Sequence, residues 1–313
     1  MITATDWRSL DPALRGASVA MGNFDGVHLG HQAVIDAARR ADMPLGIITF
    51  EPHPREFFAP AAAPFRLMNA EARRNRLARL GVELLFQLPF DNTLAGLSAE
   101  AFVTGVLGAG EKGGLGIGHV VVGADFCFGK GRAGTAAMLA ELGRAAGFET
   151  TILPLVAHGN GAISSTAIRA ALTEGRVRDA ARMLGHRHRI DGPVIHGAQR
   201  GRELGYPTAN MALDGLHLPR LGVYAVQVQV MDGPQAGLYG GVASLGVRPM
   251  FGENAPNLET FIFDLKGDLY GRHLSVGLVD FLRPELRFDG LPELIAQMDD
   301  DSARARAILA AEG

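Results

Sequence analysis

Residues Gly22 to His31 read GNFDGVHLGH and set two imidazoles, His28 and His31, three positions apart at the mouth of an apparent helix. On a helix that spacing puts both rings on one face, beside unpaired N–H groups and the positive end of the helix dipole. Such a mouth favours an anion. Gly30, between the two, lets the backbone come close to a ligand. The imidazoles can donate hydrogen bonds to a phosphate oxygen as charge builds during displacement at phosphorus. A second stretch, ISSTAIR (163–169), opens another helix with Ser164, Ser165 and Thr166 and then Arg169. An N-cap accounts for one of the serines. Hydroxyls, free N–H groups and a guanidinium together make a seat for a triphosphate.

These residues need elements to position them. From residue 18 to about 155, short apolar runs (Ser18–Met21, Leu45–Phe50, Val82–Leu88, His119–Val122, Thr150–Leu155) alternate with helix-length amphipathic stretches. The stretches are Gly30–Ala41, Met68–Leu80, Ser98–Leu107 and Ala133–Ala146. That rhythm predicts an α/β fold, a doubly wound parallel sheet, with ligands bound at the carboxyl ends of the strands. GNFDGVHLGH, TFEPHPRE (49–56) and GADFCFG (123–129) all follow strands at that end, so a pocket is expected where these loops meet. Neither G-x-G-x-x-G nor a P-loop is present; the nearest candidate, GADFCFGKGR, has the wrong spacing and no hydroxyl after Lys130.

Beyond two short helices in SSTAIRAALTEGRVRDAARMLG (164–185) the texture changes. Alternating strands at Tyr224–Val230, Leu238–Leu245, Leu258–Asp264 and Leu274–Leu282 predict a small antiparallel β-barrel, and Leu291, Leu294, Ile295 and Met298 predict a closing helix packed on it. The join falls near 185–189, dividing residues 1–185 from 186–313.

Composition narrows the partners. A chain of 313 residues with 47% hydrophobic and 20% charged residues is globular, and a net charge of −3 supplies no basic field for nucleic acid. The single cysteine, Cys127, excludes an internal disulfide and fits a reducing cytoplasm. No apolar stretch approaches a membrane span.

The four segments GNFDGVHLGH, TFEPHPRE, GADFCFG and ISSTAIR, in this order, resemble the adenylyltransferase half of the bacterial bifunctional riboflavin kinase/FMN adenylyltransferases, members of the HxGH nucleotidyltransferases with a Rossmann-like fold. GPVIHGAQRGRELGYPTAN (192–210), GVYAV (222–226), LETFIFDLKGDLYGR (258–272) and FLRPELRF (281–288) resemble the riboflavin kinase half. The resemblance covers nearly the whole chain. It implies ATP-dependent conversion of riboflavin to FMN and of FMN to FAD with magnesium, in the cytoplasm. It implies no membrane or nucleic-acid partner, and leaves room for a weak homo-oligomer.

In the first half it implies that His28 and His31 act at the ATP phosphates, that Gly22, Asn23, Phe24, Asp25 and Gly30 shape the nucleotide loop, and that Ser164, Ser165, Thr166 and Arg169 hold the triphosphate. Asp125, Phe126 and Phe128 would border the flavin, with core packing as the alternative for both phenylalanines. In the second half it places Thr208 and Asn210 at the magnesium nucleotide; a hydroxyl and an amide oxygen are hard ligands of the kind magnesium takes. Gly197, Gly201, Gly205 and Pro207 would shape the preceding loop, Arg202 would add charge, and Asp264 and Arg283 would contact flavin. Glu259 would be the base for the ribityl hydroxyl, on a strand face shared with Phe261 and Phe263. Ser244, Met250 and Phe261 depart from the family pattern and leave open an altered kinase half. The rivals are another HxGH enzyme, a monofunctional adenylyltransferase and a flavin-binding regulator.

Overall fold

Strands buried on both faces read as apolar runs, and the first half of the chain is built from them. The computed structural model describes residues 1–110, 113–154, 157–158, 161–197, 205–250 and 253–312. It contains two compact units, Met1–Ala63 with Arg73–Ile163, and Pro64–Ala72 with Ser164–Gly313.

The first unit holds β1 (Ile2–Ala4), β2 (Ser18–Met21), β3 (Leu45–Glu51), β4 (Leu84–Pro89), β5 (His119–Gly123) and β6 (Glu149–Leu153). They form one parallel sheet in the order β1-β4-β3-β2-β5-β6. The chain runs outward from β2 through β3 to β4, then returns to the other side of β2 for β5. The switch point therefore lies at the carboxyl ends of β2 and β5. Helices α1 (Leu29–Ala37), α2 (Pro54–Phe58), α3 (Ala70–Arg79) and α4 (Ala136–Ala145) connect the strands, with a short helix at Ala99–Phe102 running on as a π-helical turn. Val19, Ile48, Phe86, Leu88, Val120 and Val122 lie in its core. The amino ends of the central strands are tied by a satisfied polar chain. The Ser18 hydroxyl donates to the Ala38 carbonyl and lies 2.7 Å from His119 Nδ1, and His119 Nε2 lies 2.9 Å from the Thr151 hydroxyl.

The second unit contains helices α5 (Ser165–Thr173) and α6 (Val177–Leu184) and six strands: β7 (Arg189–Pro193), β8 (Thr208–Ala212), β9 (Gly222–Val230), β10 (Gly237–Met250), β11 (Glu253–Ile262) and β12 (His273–Arg283). All neighbours are antiparallel in the order β7-β12-β9-β10-β11-β8. A bridge between Ile195 and Asn210 joins the two edges, so the barrel is nearly closed. Alternation along β9 sends Tyr224, Val226, Val228 and Val230 into the barrel, while Val223 and Ala225 belong to an outer cluster with Phe263, Val279, Leu282 and Ala305. Ala305 sits on α7 (Leu291–Ala311), which packs against that outer wall. Leu294, Ile295 and Met298 are partly buried on it, whereas Leu291 is exposed.

His188 precedes β7 and is buried. Burial, with His186 and His217 adding repulsion, pushes its pKa down to about 3 from the ordinary 6.5. An unfolded chain takes up this proton below pH 6.5 and the native one does not, so the stability His188 contributes is complete above that value. It falls as pH drops toward 3, by about 1.4 kcal/mol per pH unit. All four tyrosines lie in residues 206–270, within this unit. Urea unfolding followed through their near-ultraviolet circular dichroism between pH 6 and 4 should show this slope in the native sequence and its loss in His188→Gln.

Candidate active site

The loop after β2 carries three left-handed residues, Phe24 (φ 51°), Gly26 (φ 87°) and Val27 (φ 43°). For a β-branched residue such as Val27 this is costly backbone, held only where surroundings dictate it. Arg73, almost wholly buried, supplies the hold. Its Nη2 donates to Glu51 Oε2 at 2.7 Å and its Nη1 to the Asn23 carbonyl at 3.4 Å, where the Thr49 hydroxyl also donates at 3.2 Å. Thr49 opens the segment TFEPHPRE expected at the pocket, whereas Arg73 was not expected there, because one buried arginine in an Arg-rich helix looks like a solvated one in sequence.

His28 caps α1. Its Nδ1 accepts the His31 backbone N–H at 3.2 Å, so the neutral ring carries its proton on Nε2. The two imidazoles stack with centroids 3.7 Å apart and planes 13° apart, and Phe24 lies 5.2 Å from His31. Burial, and then the neighbouring His28, hold the His31 pKa well below its ordinary value. Its Nδ1 is buried and has no hydrogen-bond partner among the described residues. Gly30 has a different reason from the one expected. A Cβ there would come within 3.2 Å of the His28 ring, so glycine makes room for the cap. Asp25 is buried in the same loop.

At the carboxyl end of β5, Asp125 is exposed. Phe128 is buried in the core and tilted against Phe102 at 5.6 Å, whereas Phe126 is only partly buried and stacks over Phe128 at 5.9 Å. The structure adds an aromatic patch that sequence reasoning missed. Phe57 and Phe58 of α2 meet Phe90 at 5.3 and 5.7 Å, and Phe50 meets Phe90 at 5.9 Å, with Phe58 69% exposed. Its signal was the pair FF directly after TFEPHPRE.

In the second unit, Ser164 is the N-cap of α5, accepting the Ala167 N–H at 3.2 Å. Ser165 and Thr166 occupy the first turn, and Arg169 donates from Nε to the Phe65 carbonyl at 2.5 Å.

The same unit contains an open cavity of about 170 Å³ between the outer barrel wall and α7. One transverse row crosses the wall: Arg283, Val223, Ser244, Glu259 and Asn210 pair in succession over five strands. Glu259, Ser244, Thr208, Phe261 and Arg283 line the cavity, as do Met298 and Asp301 from α7. Thr208 faces Phe261 across the strands, and Tyr206 lies 4.8 Å from the Phe261 ring. The Tyr206 hydroxyl donates to Asp299; burial, then this bond, pushes its pKa up to about 12. Arg283 grips buried Asp301 through Nε and Nη2 at 3.0 and 2.7 Å, a bidentate pair that ties α7 to β12. Asp264 lies outside the cavity lining, exposed and paired with Arg306 at 2.9 and 3.0 Å. Gly197 packs against Asn210 so closely that any Cβ would collide with its amide, and Gly205 adopts φ 82°. Pro207 directly precedes β8. Gly201 and Arg202 lie outside the described residues, as does the side chain of Met250.

Comparison with known proteins agrees with both units. The family model described as FAD synthetase matches residues 10–167, and that described as riboflavin kinase matches 184–309. Curated proteins described as bifunctional riboflavin kinase/FMN adenylyltransferase are similar throughout. The one from Pseudomonas fluorescens is 41% identical over 96% of both chains. That from Listeria monocytogenes is 36% identical over 99% of this chain and 96% of its own. That from Escherichia coli K12 is 38% identical over 93% and 92%. A solved structure described as a macrolide-efflux protein from Streptococcus pneumoniae is 32% identical, with a TM-score of 0.79 over 98% of this chain and 99% of that one. Among the described residues no helix is long and apolar enough to cross a membrane.

Fold and comparisons together define a two-unit phosphorus-transfer enzyme, a Rossmann-like nucleotidyltransferase sheet followed by a riboflavin-kinase barrel with its closing helix. The chain belongs to the bifunctional riboflavin kinase/FMN adenylyltransferase family.

The clamp on the strained loop is open to measurement. Arg73→Met takes the buried guanidinium away from Glu51 and one of two donors from the Asn23 carbonyl, and should cost the first unit about 3 kcal/mol. Trp7, the sole tryptophan, is buried in that unit's core and reports its urea unfolding by fluorescence. An unchanged midpoint would mean that the clamp contributes nothing.

Proposed function

We propose that the barrel cavity is the site where riboflavin is phosphorylated by ATP to FMN, and that the loop Gly22–His31 with α1 is the centre where FMN is adenylylated by a second ATP to FAD with release of pyrophosphate. The kinase and nucleotidyltransferase activities are those of the family. The carrying observation is the contrast between the two sites: stacked neutral imidazoles in one unit, a carboxylate flanked by hard oxygen donors in the other.

The nucleophiles differ in the same sense. The FMN phosphate is already an oxyanion at neutral pH and needs no base to attack the α-phosphorus. What the site must do is position it and meet the developing charge. His28 through Nε2–H and His31 serve as neutral donors to the phosphate oxygens. Asn23 and Asp25 shape the loop, and Asp125 with Phe126 borders the flavin; in the second unit, Ser164, Ser165, Thr166 and Arg169 at the start of α5 bring the hydroxyls, N–H groups and guanidinium that suit a triphosphate. The patch of partly buried Phe57 and Phe90 with exposed Phe58 suits the face of a flat aromatic ring.

In the kinase reaction the nucleophile is an alcohol. Glu259 takes the proton of the ribityl 5′-hydroxyl as its oxygen attacks the γ-phosphorus, and ADP leaves. Phe261 and Tyr206 offer aromatic surface to the flavin, and Arg283 holds the wall opposite α7.

The family reaction implies magnesium, and the donor set fits it. Thr208 and Asn210 lie on one face of β8, two residues apart. No cluster of three His, Cys, Asp or Glu among the described residues would favour a softer metal. When bound with ATP, magnesium would neutralise phosphate charge beside these two residues. Residues 1–185 are assigned to adenylylation and 186–313 to phosphorylation, in the cytoplasm where ATP is supplied, without nucleic-acid or membrane partners.

Two variants of the full chain separate the halves. With riboflavin, ATP and magnesium, chromatography of the flavins should show that His28→Ala with His31→Ala accumulates FMN and loses FAD formation by at least about 10²-fold. Glu259→Gln should lose FMN formation by about 10²- to 10⁴-fold while still converting supplied FMN to FAD. Loss of both activities in either folded variant would sink the division of labour.

A further inference from the structure

Asn257, Glu259 and Phe261 alternate along β11 and share its outer face. Asn257 is 3% exposed and is not explained by packing alone. Its Nδ2 donates to Glu259 Oε1 at 3.2 Å and to Asn210 Oδ1 at 3.3 Å. Both partners are acceptors, and a carboxylate has no proton to give, so the amide must present its nitrogen. That choice fixes a second one: Asn210 turns Oδ1 toward Asn257 and its own Nδ2 toward the Thr208 carbonyl at 3.5 Å.

We infer that Asn257 is a positioning residue for phosphorylation, orienting the carboxylate of Glu259 and the amide of Asn210 through one nitrogen. The inference rests on the reading of Glu259 and Asn210 above and extends it. Remove the shared donor, and two oxygens confront each other across the strands. Either the carboxylate swings from its place or Asn210 rotates. A rotated Asn210 offers N–H groups where the magnesium nucleotide requires an oxygen. Loss of Asn257 therefore acts on both the base and the cation. A buried asparagine that served packing alone would act on neither selectively.

The test uses the full chain. Asn257→Leu, of similar volume, should lower kcat for riboflavin phosphorylation by about 10- to 100-fold, the range for removing an orienting partner. KM for riboflavin should stay within about threefold on the same grounds. Calorimetric titration of ADP at increasing magnesium should require roughly tenfold more magnesium than the native sequence, and this readout does not depend on turnover. Conversion of supplied FMN to FAD should be unchanged. Asn257→Ser, smaller and still a donor, should lie between the two and replaces leucine should leucine unseat the barrel. Unchanged kcat in Asn257→Leu, or reduced kcat with an unchanged magnesium requirement, would overturn the coupling. Glu259→Gln run alongside keeps the failures apart: full turnover there overturns the base itself, whereas loss there with no effect at Asn257 overturns only the positioning role.

Discussion

The bond from the His31 amide to Nδ1 of His28 decides the chemistry of the first unit. A nitrogen that accepts a backbone proton cannot carry one, so His28 is neutral and its remaining proton sits on Nε2. A neutral His28 tolerates a second imidazole stacked on it at 3.7 Å, which two cations would not. The pair can therefore offer an anion hydrogen bonds and no fixed charge. The strained loop before it, clamped at the Asn23 carbonyl, delivers the cap to the switch point of the sheet. A left-handed valine is tolerable there only because Arg73 and Thr49 hold its neighbours from behind.

The second unit solves a different problem. Its barrel is too small and too well filled to admit a substrate, since Tyr224, Val226, Val228, Leu258 and Val276 occupy the interior. A polar site must stand on the outer wall. That wall alternates with the core along every strand, which is why Glu259, Asn257 and Phe261 appear together while Leu258 and Thr260 face inward. Helix α7 then turns an exposed surface into a cavity, tied down at one point by Arg283 on Asp301 and at another by Tyr206 on Asp299.

Much of this architecture was legible as pattern. The run Leu45–Phe50 became β3 at Leu45–Glu51, and His119–Val122 became β5 at His119–Gly123, because central parallel strands leave a continuous apolar trace. The strands that escaped are short or polar. Ile2–Ala4 is a three-residue edge, and RIDGP and TANMA become β7 and β8 through their partners and not through alternation. Site residues divide similarly. Histidines and hydroxyls announce themselves by type, whereas Arg73, Asn257 and Asp301 act through burial, which one-dimensional spacing does not encode. The packing reason for Gly30 was likewise hidden, since the ring it accommodates belongs to a neighbour two residues earlier.

The seam of the barrel runs beside its proposed chemistry. The Ile195 N–H reaches the carbonyl of Asn210 at 2.8 Å, so the strand bearing that amide is also the one on which the two edges meet. The seam itself is a local contact, since Ile195 and Asn210 are near in sequence, whereas β8 must find β11 and β7 must find β12 across long stretches of chain, at a greater entropic cost. An incompletely zipped polypeptide accordingly has Asn210 out of place. Completion of the barrel and the ordering of that amide thus become a single event.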